Sequence, residues 1–412
     1  MRLPLSCPRP AGLSLSFALS FALGLVLVTL AGSAGAEVPQ PQVTVAEEVP
    51  GAPSKGDLTL ESMHVGLTAF VQDGHGYQSQ AGAVPHGPGS ERLTVFEPQA
   101  IVVFRQGPRF THRIWVPLDI VTAASPNAID RSRPVDMISQ ASRQNEAGTA
   151  AWDATYQIDR QTETTFRSSL HLEEDFRSWT VGLSGARLLA DDDATVTLSG
   201  SHTYDWFDRL DITGLRHGRA SRATSNGSAG FTQVLTPTTV VHLNYGLTLQ
   251  TGELGNTWNA VPLEDGSVGP EILPSQRLRH AIVGRLAQWL PWDGAAKVFY
   301  RFYTDDWGIV AHTIEGQLLQ RVSPWLYIRG SYRFHTQTGA DFFTTAASAA
   351  GGRRTADSDL DRLDSHAVGL GMQASFPTDT VGTLEMGASF ERYVRSNDLQ
   401  IGVAMWTTGF RF

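Results

Sequence analysis

The stretch LQIGVAMWTTGFRF, residues 399–412, decides how the rest of the chain is read. Counting back in twos from Phe412 gives Phe410, Thr408, Trp406 and Ala404, a mostly apolar row on one face of a strand. Ile401, Val403 and Met405 occupy the other face. Two structures accommodate such a segment equally well. It can be the closing strand of a membrane barrel, or the edge strand of a soluble sandwich that ends on an aromatic residue.

Earlier segments separate these alternatives. Between Val240 and Gln250, Val241, Leu243, Tyr245, Leu247 and Leu249 share one face, and His242, Asn244, Gly246, Thr248 and Gln250 the other. Residues 194–206 repeat the pattern, with Val196, Leu198, Tyr204 and Trp206 opposed to Thr195, Thr197, Ser199, Ser201, Thr203 and Asp205. Phe110, His112, Ile114, Val116, Leu118 and Ile120 form a third apolar row.

About sixteen strands are predicted: 58–71, 91–105, 108–121, 150–159, 163–173, 178–189, 194–206 and 224–235 in the first half. The second half supplies 238–250, 276–289, 294–304, 308–320, 325–337, 363–376, 380–394 and 399–412. Most are far longer than the roughly five or six residues of a soluble strand, and match a tilted membrane strand. The connections sort by parity. After even-numbered strands the turns are tight and rich in Gly, Pro, Asp and Thr, as at Gly107-Pro108, 236–238 and Ser323-Pro324. After odd-numbered strands five loops are long, at 72–90, 122–149, 207–223, 251–275 and 338–362, and three stay short, near 174–177, 305–307 and 395–398. A soluble sandwich has no reason to sort its loops this way. The predicted fold is therefore an all-β transmembrane antiparallel barrel of about 16 strands, with short periplasmic turns and long extracellular loops.

The N-terminus predicts export. Arg2 and Arg9 precede an apolar run from Leu13 to Leu30, and Ala34-Gly35-Ala36 is an A-x-A cleavage site, so residues 1–36 read as a signal peptide cut near Ala36 after Sec export. The one cysteine, Cys7, would leave with it, which removes thiol catalysis and thiolate metal sites. Residues 37–56, with four prolines, read as a flexible periplasmic leader, and 57–412 as a single barrel domain. Without Arg2 and Arg9 the chain has 30 basic and 41 acidic residues, a net charge of −11 that argues against nucleic acid as a partner. The 19 Phe, 10 Trp and 9 Tyr suit aromatic girdles, and beyond residue 36 no run of about 18 apolar residues provides a helical span.

Several strings then share a resemblance. They are Pro270-Glu271-Ile272-Leu273-Pro274 with Arg277 or Arg279 and His280, Tyr300 to Ile309 with its core Asp305-Asp306-Trp307-Gly308, and Gln337 followed by Ala340-Asp341-Phe342-Phe343. Val135 to Ser142 and Glu173-Glu174-Asp175-Phe176-Arg177-Ser178 belong with them. Together they resemble the bacterial family of unknown function numbered 3570, over about residue 57 to the C-terminus. The resemblance implies a bacterial outer-membrane barrel in contact with membrane lipid and lipopolysaccharide. It also implies that Phe412, Phe410 and Trp406 form the signal read by the barrel-assembly machinery. It brings no activity. Ser139-Gln140-Ala141-Ser142 stands where the family pattern has Ser-Gly-Ala-Ser, which weakens a tight glycine turn there.

With apolar rows facing outward, the inward set includes Arg113, Asp119, Arg167, Arg279, Arg285, Lys297, Arg301, Glu315, Arg329, Arg333, Glu385 and Glu391. Arginines on a pore wall attract anions and orient saccharide or phosphate groups through paired hydrogen bonds. A ladder of Arg–Glu pairs that fills and stiffens the barrel is the competing reading.

Asp305-Asp306-Trp307-Gly308 reads as a short outer hairpin with its Trp anchored among lipid headgroups, or as a cation or sugar contact. The acidic run from Asp357 to Asp364 lacks the glycine and glutamate of a calcium loop, since Arg362 and Val368 occupy those positions, and reads as a solvated loop end. His112, His171, His202, His242, His280, His312 and His335 are scattered one per strand with no metal spacing, and Ser199 or Ser201 with His242 is a conceivable hydrolase pair that nothing in the sequence singles out. Neither catalytic residues, metal nor cofactor is expected. The leading expectation is a porin-like conduit for small anionic or saccharide solutes. The alternatives are a plugged accessory barrel of an envelope assembly or export complex, and a barrel-borne hydrolase.

Overall fold

A computed structural model describes residues 57–74, 93–123, 135–136, 141–142, 144–173, 175–189, 193–210, 216–255, 260–349, 351–378 and 382–412. The expected signal peptide and leader lie outside the described residues.

The chain begins with β1 (Leu58–Asp73), β2 (Leu93–Gln106) and β3 (Phe110–Ala123), followed by the two-residue strands β4 (Val135–Asp136) and β5 (Ala141–Ser142). Then come β6 (Gln144–Gln157), β7 (Thr162–Leu172), β8 (Phe176–Leu189), β9 (Ala194–Leu210), β10 (Arg216–Thr236) and β11 (Thr239–Gly252). A small hairpin of β12 (Ala260–Pro262) and β13 (Val268–Pro270) precedes β14 (Gln276–Leu290), β15 (Gly294–Asp305), β16 (Val310–Ser323) and β17 (Leu326–Gln337). The last three are β18 (Leu363–Thr378), β19 (Gly382–Arg395) and β20 (Gln400–Arg411).

Sixteen of these strands form one closed antiparallel ring in chain order, and β20 pairs with β1 to shut it. In that seam Trp406 lies opposite Leu67 and Phe410 opposite Met63. Closure leaves no row of unbonded backbone groups, the requirement a membrane imposes on a sheet. The sandwich alternative ends here.

All sixteen expected strands are present, with the largest shifts at the loop end. β6 starts at Gln144, earlier than the expected 150, and β10 starts at Arg216, not 224. Most of the expected long loop 207–223 is therefore paired strand, with Ala220 opposite Phe207. Ion pairs of Arg222 with Asp205 (2.7 Å) and Arg216 with Asp208 (3.4 Å), and stacking of Phe176 on Phe207, hold this extension. Charged residues mask a strand from hydropathy reading, but above the hydrocarbon they stabilise one.

The apolar rows face outward. Leu198, Leu243 and Leu370 are 60%, 59% and 64% exposed, values that make sense when lipid is the solvent. Near the tight turns Trp289, Trp292 and Trp325 mark one membrane interface. Asp293, at φ 61°, and Gly107, at φ 62°, supply the left-handed backbone those turns need.

The loops after β11, β15 and β17 fold together as a cap. Ile272 pairs with Arg354, Leu263 with Ala347 and Phe343 with Thr355. Trp307, Ile309, Ala340 and Leu360 form one buried cluster, and Val261, Ala347 and Ala356 a second. The cap is thus a packed body with its own core.

Candidate functional site

The strands place Arg279 and Arg285 on β14, Lys297 and Arg301 on β15, Glu315 on β16, and Arg329 and Arg333 on β17. Each sits on the face opposite an exposed apolar row made by Ile282, Val298, Tyr300, Ile314 and Tyr332, so all seven line the lumen. Glu385 and Glu391 line it from β19, opposite Phe390. Arg113 and Arg167 face inward beside Asp153, whereas the side chain of Asp119 lies outside the described residues.

Charge pairing runs along the wall between neighbouring strands. Arg167 donates from Nε and Nη2 to the two oxygens of Asp153 at 2.6 and 2.7 Å. Arg333 donates to Glu315 at 2.7 Å, and Gln317 donates to the other Glu315 oxygen. Glu385 faces Arg411 at 3.3 Å and His64 at 3.9 Å. These contacts follow from register, which puts Glu315 directly opposite Arg333.

Three guanidiniums are left over. Arg301 lies over the Tyr303 ring at 5.3 Å, and neither it nor Arg329 has a carboxylate partner among the described residues. Arg279 has its Nε buried with no hydrogen-bond partner. Its neighbour Arg277 is committed to Asp305, and Arg222 to Asp205. The lumen wall from β14 to β17 therefore carries more positive charge than its carboxylates offset.

Asp305-Asp306-Trp307-Gly308 does not reach the lipid headgroups, contrary to expectation. Trp307 is 4% exposed, packs in the cap against Phe342, and donates from Nε1 to the Gln276 carbonyl at 2.9 Å. Asp305 accepts hydrogen bonds from Arg277, Tyr303 and the backbone of Trp307 and Ile309, and Arg277 stacks over Trp307 at 4.3 Å. Asp306 accepts from the Leu278 backbone. The indole is drawn into the cap because the loop after β17 supplies an apolar partner, which local sequence does not reveal.

The acidic run is also structural, where a solvated loop end was expected. Asp357 caps a short 3-10 turn, Ser358–Leu360, by accepting from the Asp359 backbone. Arg395, which faces the lumen from β19, donates to Asp359 at 2.6 Å and to the Ser358 carbonyl at 2.7 Å. Gln337, also lumen-facing, donates to the carbonyls of Asp359 and Asp361 at 2.8 Å. The loop before β18 is thereby fastened to the inside of the barrel rim. The conceivable hydrolase pair does not assemble: Ser199 bonds Ser228, Ser201 accepts from Asn226, and His242 bonds Thr232.

A closed sixteen-strand ring with apolar exterior, charged lumen and folded loop cap defines a membrane-spanning β-barrel of the outer-membrane type. The chain belongs to the family described as "Protein of unknown function (DUF3570)", whose model matches residues 74–407. No curated protein matches it. Among solved structures, OccD3 (OpdP) of Pseudomonas aeruginosa is 10% identical, with 89% of this chain and 96% of that one covered at a TM-score of 0.44. A BenF-like porin from Pseudomonas fluorescens Pf-5 is 7% identical, with 86% and 99% covered and a TM-score of 0.44. A bacterial polysaccharide outer membrane secretin is 10% identical, with 85% and 98% covered, also at 0.44.

Proposed function

We propose that the protein is a porin-like conduit of the bacterial outer membrane for small anionic solutes, including charged saccharides. The observation that carries this reading is the set of lumen-facing guanidiniums, Arg279, Arg301 and Arg329, which form no ion pair with a carboxylate among the described residues. A ring of sixteen strands encloses water. Inside it, low-dielectric walls strengthen the field of uncompensated charge, which raises local anion concentration. Guanidinium forks add geometric selection for carboxylate and phosphate. The cap, fastened by Arg395 and Gln337, controls access from the loop end.

That same fastening favours a second reading, an accessory barrel plugged by its own loops. Planar-bilayer recordings of the purified protein test the two. A conduit gives steady conductance with anion preference, and Arg301→Glu with Arg329→Glu lowers or reverses that preference. Sustained silence supports the plugged barrel, and unchanged selectivity in the double variant rejects the basic wall as the filter.

A further inference from the structure

The lumen has a second wall beside the basic one. On the inward faces of β8 to β11 the middle positions are hydroxyls, amides and glycines, among them Thr180, Ser199, Ser228 and Asn244. One row of this wall runs across three strands as a hydrogen-bonded belt. Thr248 donates to Asn226 Oδ1 at 2.7 Å, and Asn226 Nδ2 donates to Ser201 Oγ at 3.3 Å. Register sets Ser201 opposite Asn226 and Asn226 opposite Thr248. The next residue in the same row, directly opposite Thr248, is Arg279.

The belt therefore ends on the Arg279 guanidinium, whose buried Nε has no hydrogen-bond partner among the described residues. One row further from the loops the wall turns small, with Ser228 opposite Gly246 and Gly246 opposite Ala281. A side-chain carbon added at Gly246 would meet nothing within 4 Å, so this patch opens onto free lumen. A charged anchor, a line of neutral donors and acceptors, and a shallow floor thus lie side by side.

We infer that the seam of β11 and β14 is a binding step for a carboxylated or phosphorylated sugar, with the acidic group on Arg279 and the hydroxyls along Thr248, Asn226 and Ser201. The inference rests on the conduit reading and narrows its solute class. Charge alone attracts any anion, and a hydroxyl belt adds nothing for an anion without hydroxyls. Each matched neutral hydrogen bond is worth about two- to tenfold, so two or three separate a hydroxylated anion from a bare one.

Reversal potentials in planar bilayers test this with two ring carboxylates of similar shape, galacturonate and cyclohexanecarboxylate. The expected result is a permeability ratio of about fivefold or more in favour of galacturonate. Asn226→Leu with Thr248→Val should bring the ratio toward one while anion-over-cation preference persists. Gly246→Leu, a change that leaves the belt in place and meets open space, should lower galacturonate passage more than that of chloride. Equal permeability of the two carboxylates in the unaltered protein, with anion preference intact, overturns the sugar-acid site alone. Absence of anion preference, or silence, removes the conduit reading and this site with it.

Discussion

Arg277 donates from both Nε and Nη2 to one oxygen of Asp305, at 2.9 and 2.6 Å, and the Asp305 side chain is wholly buried. The pair joins the rim of β14 to the end of β15 and supports the indole of Trp307 beneath the cap. Removing one partner of a buried ion pair costs about 3–5 kcal/mol, because the other charge stays desolvated. Asp305→Ala should therefore loosen the cap and leave the barrel assembled. Faster hydrogen exchange and proteolysis confined to residues 338–362 would show it, and unchanged protection there would refute the role.

Gly308 offers a gentler test of the same body. Its backbone has φ 88°, and a Cβ built there would lie 2.2 Å from Asp341 Oδ1. Gly308→Val should destabilise the cap by more than about 1 kcal/mol. If the cap gates the pore, open-channel noise rises in the same variant.

Arg333 separates paired from unpaired charge. Its partner Glu315 lies opposite on β16, so Arg333→Gln exposes a lumen carboxylate as well as deleting a cation. Anion preference should fall further than with Lys297→Gln, whose side chain pairs with no carboxylate among the described residues. Equal shifts from the two variants would contradict that pairing.

The outer face predicts a membrane cost. Leu243 stands midway along β11 and is 59% exposed. Leu243→Arg should destabilise the barrel by about 2–4 kcal/mol in lipid. Denaturant titration in bilayers reads this directly, and His242→Arg, on the lumen face, serves as the positional contrast.

The closing strand carries the assembly prediction. Phe410 lies opposite Met63 on β1 and stacks against Phe412 at 6.5 Å. Phe412→Ala should reduce the amount of folded barrel recovered from membranes without altering the conductance of what does assemble. Normal yield would remove Phe412 from the targeting role.

Strand number, barrel closure and the orientation of Arg301, Arg329 and Arg333 were legible from two periodicities alone. Alternation along a strand follows from lipid on one side of the wall and water on the other, and loop length by parity from the two ends of the barrel lying on opposite sides of the membrane. The charged start of β10 was not legible, since its ladder is held by Arg222, Asp205 and aromatic stacking from neighbouring strands. Trp307 likewise reads as an interfacial anchor until the loop before β18 folds back and covers it. The sequence by itself determined which residues meet oil and which meet water, because that choice repeats every second residue. Only the tertiary structure decided which lumen charges cancel, where the hydroxyl belt meets Arg279, and that three loops become one cap. Register and loop packing join residues far apart in the chain, and no local period records them.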